Sequence, residues 1–262
     1  MTPGRERVPI AAAVVAALGA ALFILPLVGL LWTGPWTDLA HALFEPEALM
    51  AMRLSLVCSL AATAVSIVLG LPLAWVQARS SFPGRSLLRA LTLLPVVLPP
   101  VVGGVALLSV FGRRGLLGRF LDPLGIRLPF TTAGAVLAET FVAMPFFVLS
   151  MEAVLGTLDR RLEDAARTLG ANRWTVFRRV TVPLVRPSVA AAAALCWARA
   201  LGEFGATITF AGNFPGRTQT IPLAVYVQLE SRPEAGLALS LVLLAVSLAI
   251  LVIMRRRWLE TP

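Results

Sequence analysis

The chain has 262 residues, 58% of them hydrophobic, with a mean hydropathy of +0.83 and a formal net charge of +9. These values are typical of an integral membrane protein. All of the positive charge is arginine, since the sequence contains no lysine. A Walker A loop needs a lysine to contact the nucleotide phosphates, so the composition excludes an ordinary ATP site. The sequence also shows no cluster of nucleophile, base or metal ligands, so we expect the chain not to be an enzyme itself.

The remaining polar residues indicate no cofactor or metal chemistry. Cys58 and Cys196 both fall in apolar segments, where they are interpreted as small hydrophobic residues without a disulfide. His41 is the single histidine and has no cluster of metal-ligating residues beside it in the sequence. The arginines lie mostly between apolar segments, which makes them a topology signal. We therefore expect no metal, no cofactor on this chain and no nucleic-acid partner.

Six apolar segments are each long enough to cross a bilayer, which takes about 20 helical residues. The predicted spans cover residues 10–31, 54–76, 90–111, 133–155, 189–211 and 236–254. The first exceeds the apolar part of a typical signal peptide and runs into Trp32 and Trp36, which suit a membrane interface, so it is interpreted as a retained span. With short loops, residues 1–262 are expected to form a single all-α transmembrane domain in contact with the lipid bilayer.

The arginine distribution predicts the orientation. Most arginines lie at the N-terminus, after the second span, after the fourth span and at the C-terminus. The positive-inside rule places these segments in the cytoplasm, so both termini and the loop of residues 157–187 are expected to be cytoplasmic. Arg113, Arg114, Arg119 and Arg127 oppose this assignment, because they fall in a loop on the other side; an anionic partner or solute would account for them.

The third span is rich in helix-breaking residues. Pro95, Pro99 and Pro100 are followed by Gly103 and Gly104. Broken backbone at membrane depth is tolerated where protein or a water-filled cavity satisfies the freed polar groups. Two interpretations remain open: a bent helix that lines a solute pathway or gate, and a kink that lets helices pack closely.

The longest strongly polar run, residues 157–187, begins with a predicted amphipathic helix. Its apolar stripe consists of Leu158, Leu162, Ala165, Ala166 and Leu169. Opposite charges four residues apart, at Arg160 and Asp164 and at Glu163 and Arg167, are expected to form exposed pairs. The helix thus has one apolar and one charged face.

A glycine elbow and a second short helix follow. Gly170 is expected to end the first helix in the left-handed conformation, and Asn172 to cap a helix that carries Trp174 and Phe177. Pro183 and Pro187 are expected to close it. Two amphipathic helices held between spans suit a docking surface for a soluble partner.

The fifth span carries charge near its middle. Arg199 and Glu203 are one turn apart on one helix face, and each is costly in hydrocarbon unless paired. We expect them to pair or to face the bundle interior, with Glu139 of the fourth span as a further partner. A structural ion pair and direct anion contact by Arg199, with Glu203 as a gate partner, both remain open. Thr207 is a candidate hydroxyl in the pathway.

The loop of residues 157–187 resembles the EAA loop of ABC importer permeases, E-A-A-x3-G-x9-I-x-L-P. Here Asp164-Ala165-Ala166, Gly170 and Val180-Thr181-Val182-Pro183 keep every spacing, with Asp for Glu and Val for Ile and Leu. The resemblance implies a type I ABC importer permease fold with a cytoplasmic coupling helix that fits an ATPase subunit. The implied coupling residues are Asp164, Ala165, Ala166, Gly170, Asn172, Trp174, Phe177 and Pro183. An ordinary amphipathic loop at the membrane surface is the alternative.

Several further segments are similar to the molybdate branch of the oxyanion importer permeases. They are Leu98-Pro99-Pro100 with Gly103-Gly104, residues 111–115, residues 198–207 and residues 216–220. The resemblance implies a homodimer in a bacterial or archaeal cell membrane, two ATPase subunits that bind ATP and Mg²⁺, and an extracytoplasmic molybdate-binding protein. Tungstate is an alternative cargo. The binding protein is expected to dock at Asn213, Gly216 and Arg217, although Asn213, Pro215 and Gly216 also suit a simple turn.

Two other functions remain open. Ala211-Gly212-Asn213 is shared with sulfate relatives, so a sulfate or thiosulfate importer permease is the first alternative. The second is an ion-coupled secondary transporter with Arg199 and Glu203 as the coupling pair, which predicts uptake without an ATPase.

Overall fold

Helices account for almost all of the regular structure, as the continuous hydrophobicity of the sequence predicts. The structure, a computed structural model, describes residues 9–258, with side-chain environments up to residue 252. The helices are α1 (Ile10–Trp32), α2 (Leu39–Phe44), α3 (Pro46–Arg79), α4 (Arg85–Val97), α5 (Pro100–Phe111), α6 (Gly118–Leu121), α7 (Thr132–Thr157), α8 (Arg161–Thr168), α9 (Arg173–Val176), α10 (Val182–Leu201), α11 (Gly205–Ala211), α12 (Ile221–Ser231) and α13 (Pro233–Trp258). A 3-10 turn covers Asp122–Leu124 and a π-helical segment covers Phe177–Thr181.

The all-α prediction is confirmed, whereas the count of six uninterrupted spans is not. In the described range, five helical runs are long and apolar enough to cross a membrane: Ile10–Trp32, Pro46–Arg79, Thr132–Thr157, Arg173–Leu201 and Pro233–Val252. The predicted third span is instead divided between α4 and the shorter apolar helix α5. These runs make the protein a multi-pass membrane protein.

The interruption of the third span follows from its paired prolines. A residue that precedes proline disfavours the helical conformation, and Leu98 and Pro99 each precede a proline. They have extended backbone, with ψ of 137° and 130°. Proline suits the first position of a helix, where its missing N–H is not needed, and α5 accordingly begins at Pro100. The chain therefore bends between Val97 and Pro100.

The predicted fifth span is also interrupted, and a glutamate lies at the interruption. Helix α10 ends at Leu201 and α11 begins at Gly205. Oε1 of Glu203 accepts a hydrogen bond from the Ala206 N–H at 2.8 Å, which satisfies one of the free donors at the start of α11. Glu203 therefore lies within the interruption and supports the helix that follows.

The predicted end of the loop at Pro183 and Pro187 differs from the structure. Arg173–Leu201 is one continuous helical run in which both prolines are included. Pro183 lies in the first turn of α10, where proline is tolerated, and the π-helical segment directly precedes it. As a result, the short helix after the elbow is joined to the span that follows without a break.

Helix α3 is the centre of the bundle and packs along α7 and α10. Small residues bring these helices close together. A Cβ added at Gly70 would lie 2.9 Å from the Phe147 ring, and Ala62, Ala143 and Cys196 are fully buried in the same core. Tight interfaces of small residues are characteristic of membrane helices.

The remaining helices surround this centre. Helix α11 packs against α5, and α12 forms a hairpin with α13. Helix α12 falls where the sequence predicted only a loop before the last span; Pro222 lies in its first turn, a position that favours helix initiation. No residue of α1 is buried within the chain, so its apolar surface is free to face lipid or another subunit.

Candidate coupling and pathway sites

The elbow between α8 and α9 has the predicted geometry. Gly170 has a φ of +87°, the left-handed conformation that glycine adopts without strain. The Ala171 N–H bonds to the Ala166 carbonyl at 3.0 Å and the Gly170 N–H to that of Arg167 at 2.9 Å, a pattern that closes a helix C-terminus. Oδ1 of Asn172 accepts the Thr175 N–H at 2.8 Å. The predicted helix end and helix cap are both confirmed.

The apolar stripe of the loop lies on the surface. Leu169 is 89% exposed and Trp174 is 62% exposed, and Leu162 and Ala165 are also exposed. A groove of about 390 Å³ lies beside them and is lined by Ala166, Leu169, Gly170, Ala171, Asn172, Thr175, Arg179 and Val180. Exposed apolar residues clustered in an otherwise polar segment mark an interaction surface.

Glu163 differs from its predicted place on the exposed charged face. It is only 2% exposed, and its Oε1 accepts a hydrogen bond from Thr181 at 2.9 Å and lies 3.5 Å from Nε of Arg79. Arg167 lies 3.9 Å from Glu163, its predicted partner, and 3.1 Å from Asp164. Asp164 therefore pairs with Arg167, whereas the sequence predicted that it would pair with Arg160. Burial follows because a partner cation and hydroxyl reach Glu163 from other segments.

A row of aromatic rings leads from the loop into the bundle. Trp174 stacks on Phe177 with ring centres 5.4 Å apart, and Phe177 contacts Trp75 of α3 at 5.0 Å. Trp174 is exposed whereas Phe177 is buried. Of the two predicted coupling aromatics, one therefore faces outward and the other anchors the segment to α3.

The two interrupted spans meet at their interruptions. A Cβ on Gly205, the first residue of α11, would lie 2.8 Å from Cβ of Pro100 at the start of α5. One turn further along α5, a Cβ on Gly104 would lie 2.6 Å from Cβ of Thr209. A Cβ on Gly103 would lie 3.0 Å from the Phe141 ring. The predicted glycines thus occupy helix contacts, while Pro99 is exposed beside them.

The predicted ion pair within the fifth span is confirmed. Nη1 of Arg199 lies 2.8 Å from Oε2 of Glu203, and the Arg199 guanidinium is 6.0 Å from the centre of the Phe146 ring. Glu203 is buried, whereas Arg199 is partly exposed. The cation is therefore the member of the pair that remains accessible.

Two other candidates in the spans are buried without a full set of partners. Oε2 of Glu139 and Oγ1 of Thr207 lack a hydrogen-bond partner among the described residues. Glu139 lies in α7 and Thr207 in α11. Neither side chain reaches the surface. In this conformation, Thr207 is therefore not in the exposed position that a pathway hydroxyl requires.

The loop of residues 212–220 packs on the arginine-rich loop of residues 112–131. The Thr132 hydroxyl donates to the Arg217 carbonyl at 2.8 Å, and the rings of Phe130 and Phe214 meet edge to face at 6.3 Å. Gly216 and Arg217 are exposed, and Asn213 is half-buried. The three predicted docking residues therefore lie on one surface formed jointly with the other loop.

Asp122 neutralises part of the charge that opposed the predicted orientation. It lies 2.6 Å from Nε of Arg127 and 3.1 Å from Nε of Arg113. Hydrogen bonds from Arg127 and then Arg113 hold the pKa of the Asp122 carboxyl below its ordinary value of 3.8. A cavity of about 250 Å³ lies beside these groups.

Arg79 and Trp75 are the site residues that the sequence analysis missed, and Glu163 was assigned to the wrong face of its helix. Each contacts segments far away along the chain, and helical spacing gives no information on such contacts. The only local indication is that Trp75 and Arg79 are one turn apart, near the end of a span, on one face of the helix.

Comparisons with known proteins agree with this geometry. Residues 66–260 match the family model of the binding-protein-dependent transport system inner membrane component. The chain is 45% identical over 229 residues to the molybdenum transport system permease protein ModB of Mycobacterium tuberculosis, covering 87% of each chain. It is 43% identical over 218 residues to the protein of the same name from Escherichia coli, covering 83% of this chain and 95% of that one.

More distant proteins share the architecture. The sulfate transport system permease protein CysT of Escherichia coli is 37% identical over 217 residues, which cover 82% of this chain and 78% of that protein. A crystal structure of a bacterial ABC transporter involved in the import of alginate superposes with a TM-score of 0.72 at 18% identity, covering 96% of each chain. At that identity, the superposition supports the fold.

Proposed function

The chain belongs to the family of binding-protein-dependent transport system inner membrane components, and on this premise we propose that it is the permease subunit of an ATP-driven importer of molybdate. Tungstate, a tetrahedral oxyanion of the same charge, is the alternative cargo. The observation that carries the assignment is the higher identity to two molybdenum permeases, 45% and 43%, than to a sulfate permease, 37%.

The proposed assembly is a homodimer of this chain with two ATPase subunits and an extracytoplasmic molybdate-binding protein. ATP and Mg²⁺ belong to the ATPase subunits, because the chain contains no lysine for a Walker A loop. The exposed Leu169 and Trp174, with the groove beside Gly170, are the proposed ATPase contact. Asn213, Gly216 and Arg217 are the proposed contact for the binding protein.

The proposed orientation places both termini and α8 and α9 in the cytoplasm of a bacterial or archaeal cell. The positive-inside rule supports it, and so does the pairing of Asp122 with Arg113 and Arg127. That pairing reduces the net charge of the loop that lies on the other side. The binding protein would then meet residues 112–131 and 212–220 outside the membrane.

Coupling is proposed to run along one helix. The run Arg173–Leu201 joins the short helix of the loop to the fifth span without interruption. A displacement of Trp174 by the closing ATPase subunits therefore reaches Leu201, next to the break at Glu203. Because α11 begins there and packs on α5, both interrupted spans can move when that helix moves. Such discontinuous helices are where transporters form their solute pathways.

Within the pathway, Arg199 is proposed to attract the anion and Glu203 to moderate that attraction. The 2.8 Å pair leaves the guanidinium partly exposed but largely neutralised. A strong anion site would retain the cargo and slow its release. Selectivity for molybdate is therefore assigned to the binding protein, and the permease provides a weakly attractive route.

ATP hydrolysis by the reconstituted complex tests this function. The chain is purified with its ATPase subunit, placed in liposomes and supplied with its binding protein loaded with molybdate, tungstate or sulfate. We expect hydrolysis to rise with molybdate and tungstate and to stay at the basal rate with sulfate. A rise with sulfate alone would assign the chain to sulfate import. Equal rates with loaded and empty binding protein would reject the importer function.

A further inference from the structure

We propose that Arg79, Leu158, Glu163 and Thr181, here called the Arg79 cluster, position the coupling loop and determine how much of the ATPase motion reaches the spans. The inference rests on the proposed import function and assigns a role to residues whose identity the EAA pattern does not specify. Arg79 and Glu163 act through the loop rather than on the anion, so they are positioning residues.

The cluster joins four segments of the chain. Nη2 of Arg79, at the end of α3, donates to the Leu158 carbonyl at 3.0 Å, directly after α7. Nε of the same guanidinium lies 3.5 Å from Oε1 of Glu163 in α8. That oxygen also accepts the Thr181 hydroxyl, just before α10, at 2.9 Å. Both ends of the coupling loop are therefore fixed to α3 at one point.

Burial makes this connection stiff. The side chains of Arg79 and Glu163 are 4% and 2% exposed. A buried ion pair is costly to separate, since each partner would be left as an uncompensated charge. The loop and the end of α3 consequently tend to move together.

The aromatic row reinforces the same attachment. Trp75 and Arg79 are four residues apart in α3, so both project from one face of its last turns. Trp75 holds Phe177, on which the exposed Trp174 stacks. A force on Trp174 is thus passed to α3 through the rings. The Arg79 cluster provides a second attachment, which prevents the loop from rotating about the aromatic rings.

The chain supplies a matched control at the same end of the bundle. Nε of Arg89 lies 3.1 Å from Oε2 of Glu152, which is also largely buried. This pair joins α4 to α7 and does not include any residue of the coupling loop. Replacing Glu152 with glutamine removes a comparable carboxylate without touching the proposed attachment.

The test compares Glu163→Gln and Arg79→Gln with Glu152→Gln in the complete reconstituted complex. The first readout is the molybdate transported per ATP hydrolysed. We expect this ratio to fall about tenfold in the two cluster variants, within the usual range of coupling between sites, and to be retained in Glu152→Gln. Arg79→Lys, which keeps the charge but not the planar fork, should recover part of the ratio.

The second readout is independent of cargo. Spin labels at Arg161→Cys in α8 and Ser81→Cys after α3 report the distance between loop and span; both native positions are exposed, and Cys58 and Cys196 are buried. The distance distribution should be narrow with native Arg79 and Glu163 and broader in Glu163→Gln. For any cluster variant that fails to assemble, Thr181→Val removes one hydrogen bond and should shift both readouts in the same direction by a smaller amount.

The outcomes separate the two proposals. Native ratios and native distance distributions in Glu163→Gln and Thr181→Val would overturn the role of the cluster, as would an equal loss in Glu152→Gln. If the native complex shows no molybdate-stimulated hydrolysis, the import function fails, and the distance distributions still decide whether the cluster fixes the loop.

Discussion

Gly170 is the residue in the coupling loop whose identity the backbone requires. Its φ is +87°, and a Cβ added there would meet no atom within 4 Å. Any cost of a larger side chain is therefore conformational, about 1–2 kcal/mol for a left-handed residue, and more for a β-branched one. The angle between α8 and α9 depends on this single position.

Replacing Gly170 with valine should uncouple the transporter. We expect transport to fall severalfold while basal ATP hydrolysis and membrane insertion persist, because the elbow changes its angle without a loss of packing. Molybdate uptake and hydrolysis are measured on the same vesicles. Gly156→Val in α7, which also meets no atom within 4 Å but has an ordinary helical φ, is the matched control and should retain both rates. Normal uptake in Gly170→Val would reject the elbow.

The ion pairs of Asp122 should make the stability of the loop of residues 112–131 depend on pH. Because its folded-state pKa is below the ordinary value of 3.8, its ion pairs stabilise the loop above that value, and the contribution is lost as the pH falls through the lowered pKa. The protection factors of residues 112–131, which are exchange rates corrected for the intrinsic effect of pH, should therefore fall only on strong acidification. In Asp122→Asn, the protection factors should be low at all pH values. Identical exchange profiles for the two proteins would show that the pairs do not order the loop.

Residue-level predictions succeeded where partners are close in sequence. The Asn172 cap and the Arg199–Glu203 pair both follow from spacings of one helical turn. Glu163 was placed on the wrong face, because its burial depends on Arg79 and Thr181, which lie on other segments. Local spacing identified a helix with two faces but gave no information on which acidic residue the bundle would cover.

Interrupted helices are the element-level feature that the sequence partly predicted. Pro99 and Pro100 indicated a disturbed third span because proline restricts the residue before it. The interruption at Glu203 was not predicted, since a glutamate that caps a following helix inside a membrane span leaves no distinct pattern. The continuity of Arg173–Leu201 through Pro183 was also missed, because a π-helical segment there is not apparent from residue types.

Close contact between α5 and α11 gives a prediction at Gly104. An added Cβ would lie 2.6 Å from Cβ of Thr209 and 2.9 Å from the Ala206 carbonyl oxygen. We expect Gly104→Ala to destabilise the protein by about 1–3 kcal/mol, as overpacking does, and to lower its melting temperature in detergent. Gly29→Ala in α1 meets no atom within 4 Å and should leave the melting temperature unchanged or raise it. Equal temperatures for both variants would contradict the contact.

At the scale of the whole molecule, composition and motif spacing together predicted the fold class and the family. The confirmed predictions are the all-α membrane fold, the family, and the absence of enzymatic activity on the chain, since its relatives are permease proteins. The arrangement of the subunits could not be predicted from the sequence, because the exposed apolar surface of α1 and α5 suits contact with lipid and with protein equally.

The energy source distinguishes a permease that is moved by an ATPase from an ion-coupled carrier built on Arg199 and Glu203. In the first, the coupling loop transmits work from another subunit, so transport stops when nucleotide hydrolysis stops. In the second, the spans respond to an ion gradient, so the loop and its exposed Trp174 are dispensable.

Uptake of radiolabelled molybdate into liposomes that contain the chain, its ATPase subunit and its external binding protein decides between them. We expect accumulation when hydrolysable ATP is present on the loop side, and none with a non-hydrolysable analogue or with an imposed ion gradient alone. Accumulation driven by an ion gradient in liposomes that lack the ATPase subunit would show that the chain is not moved by an ATPase.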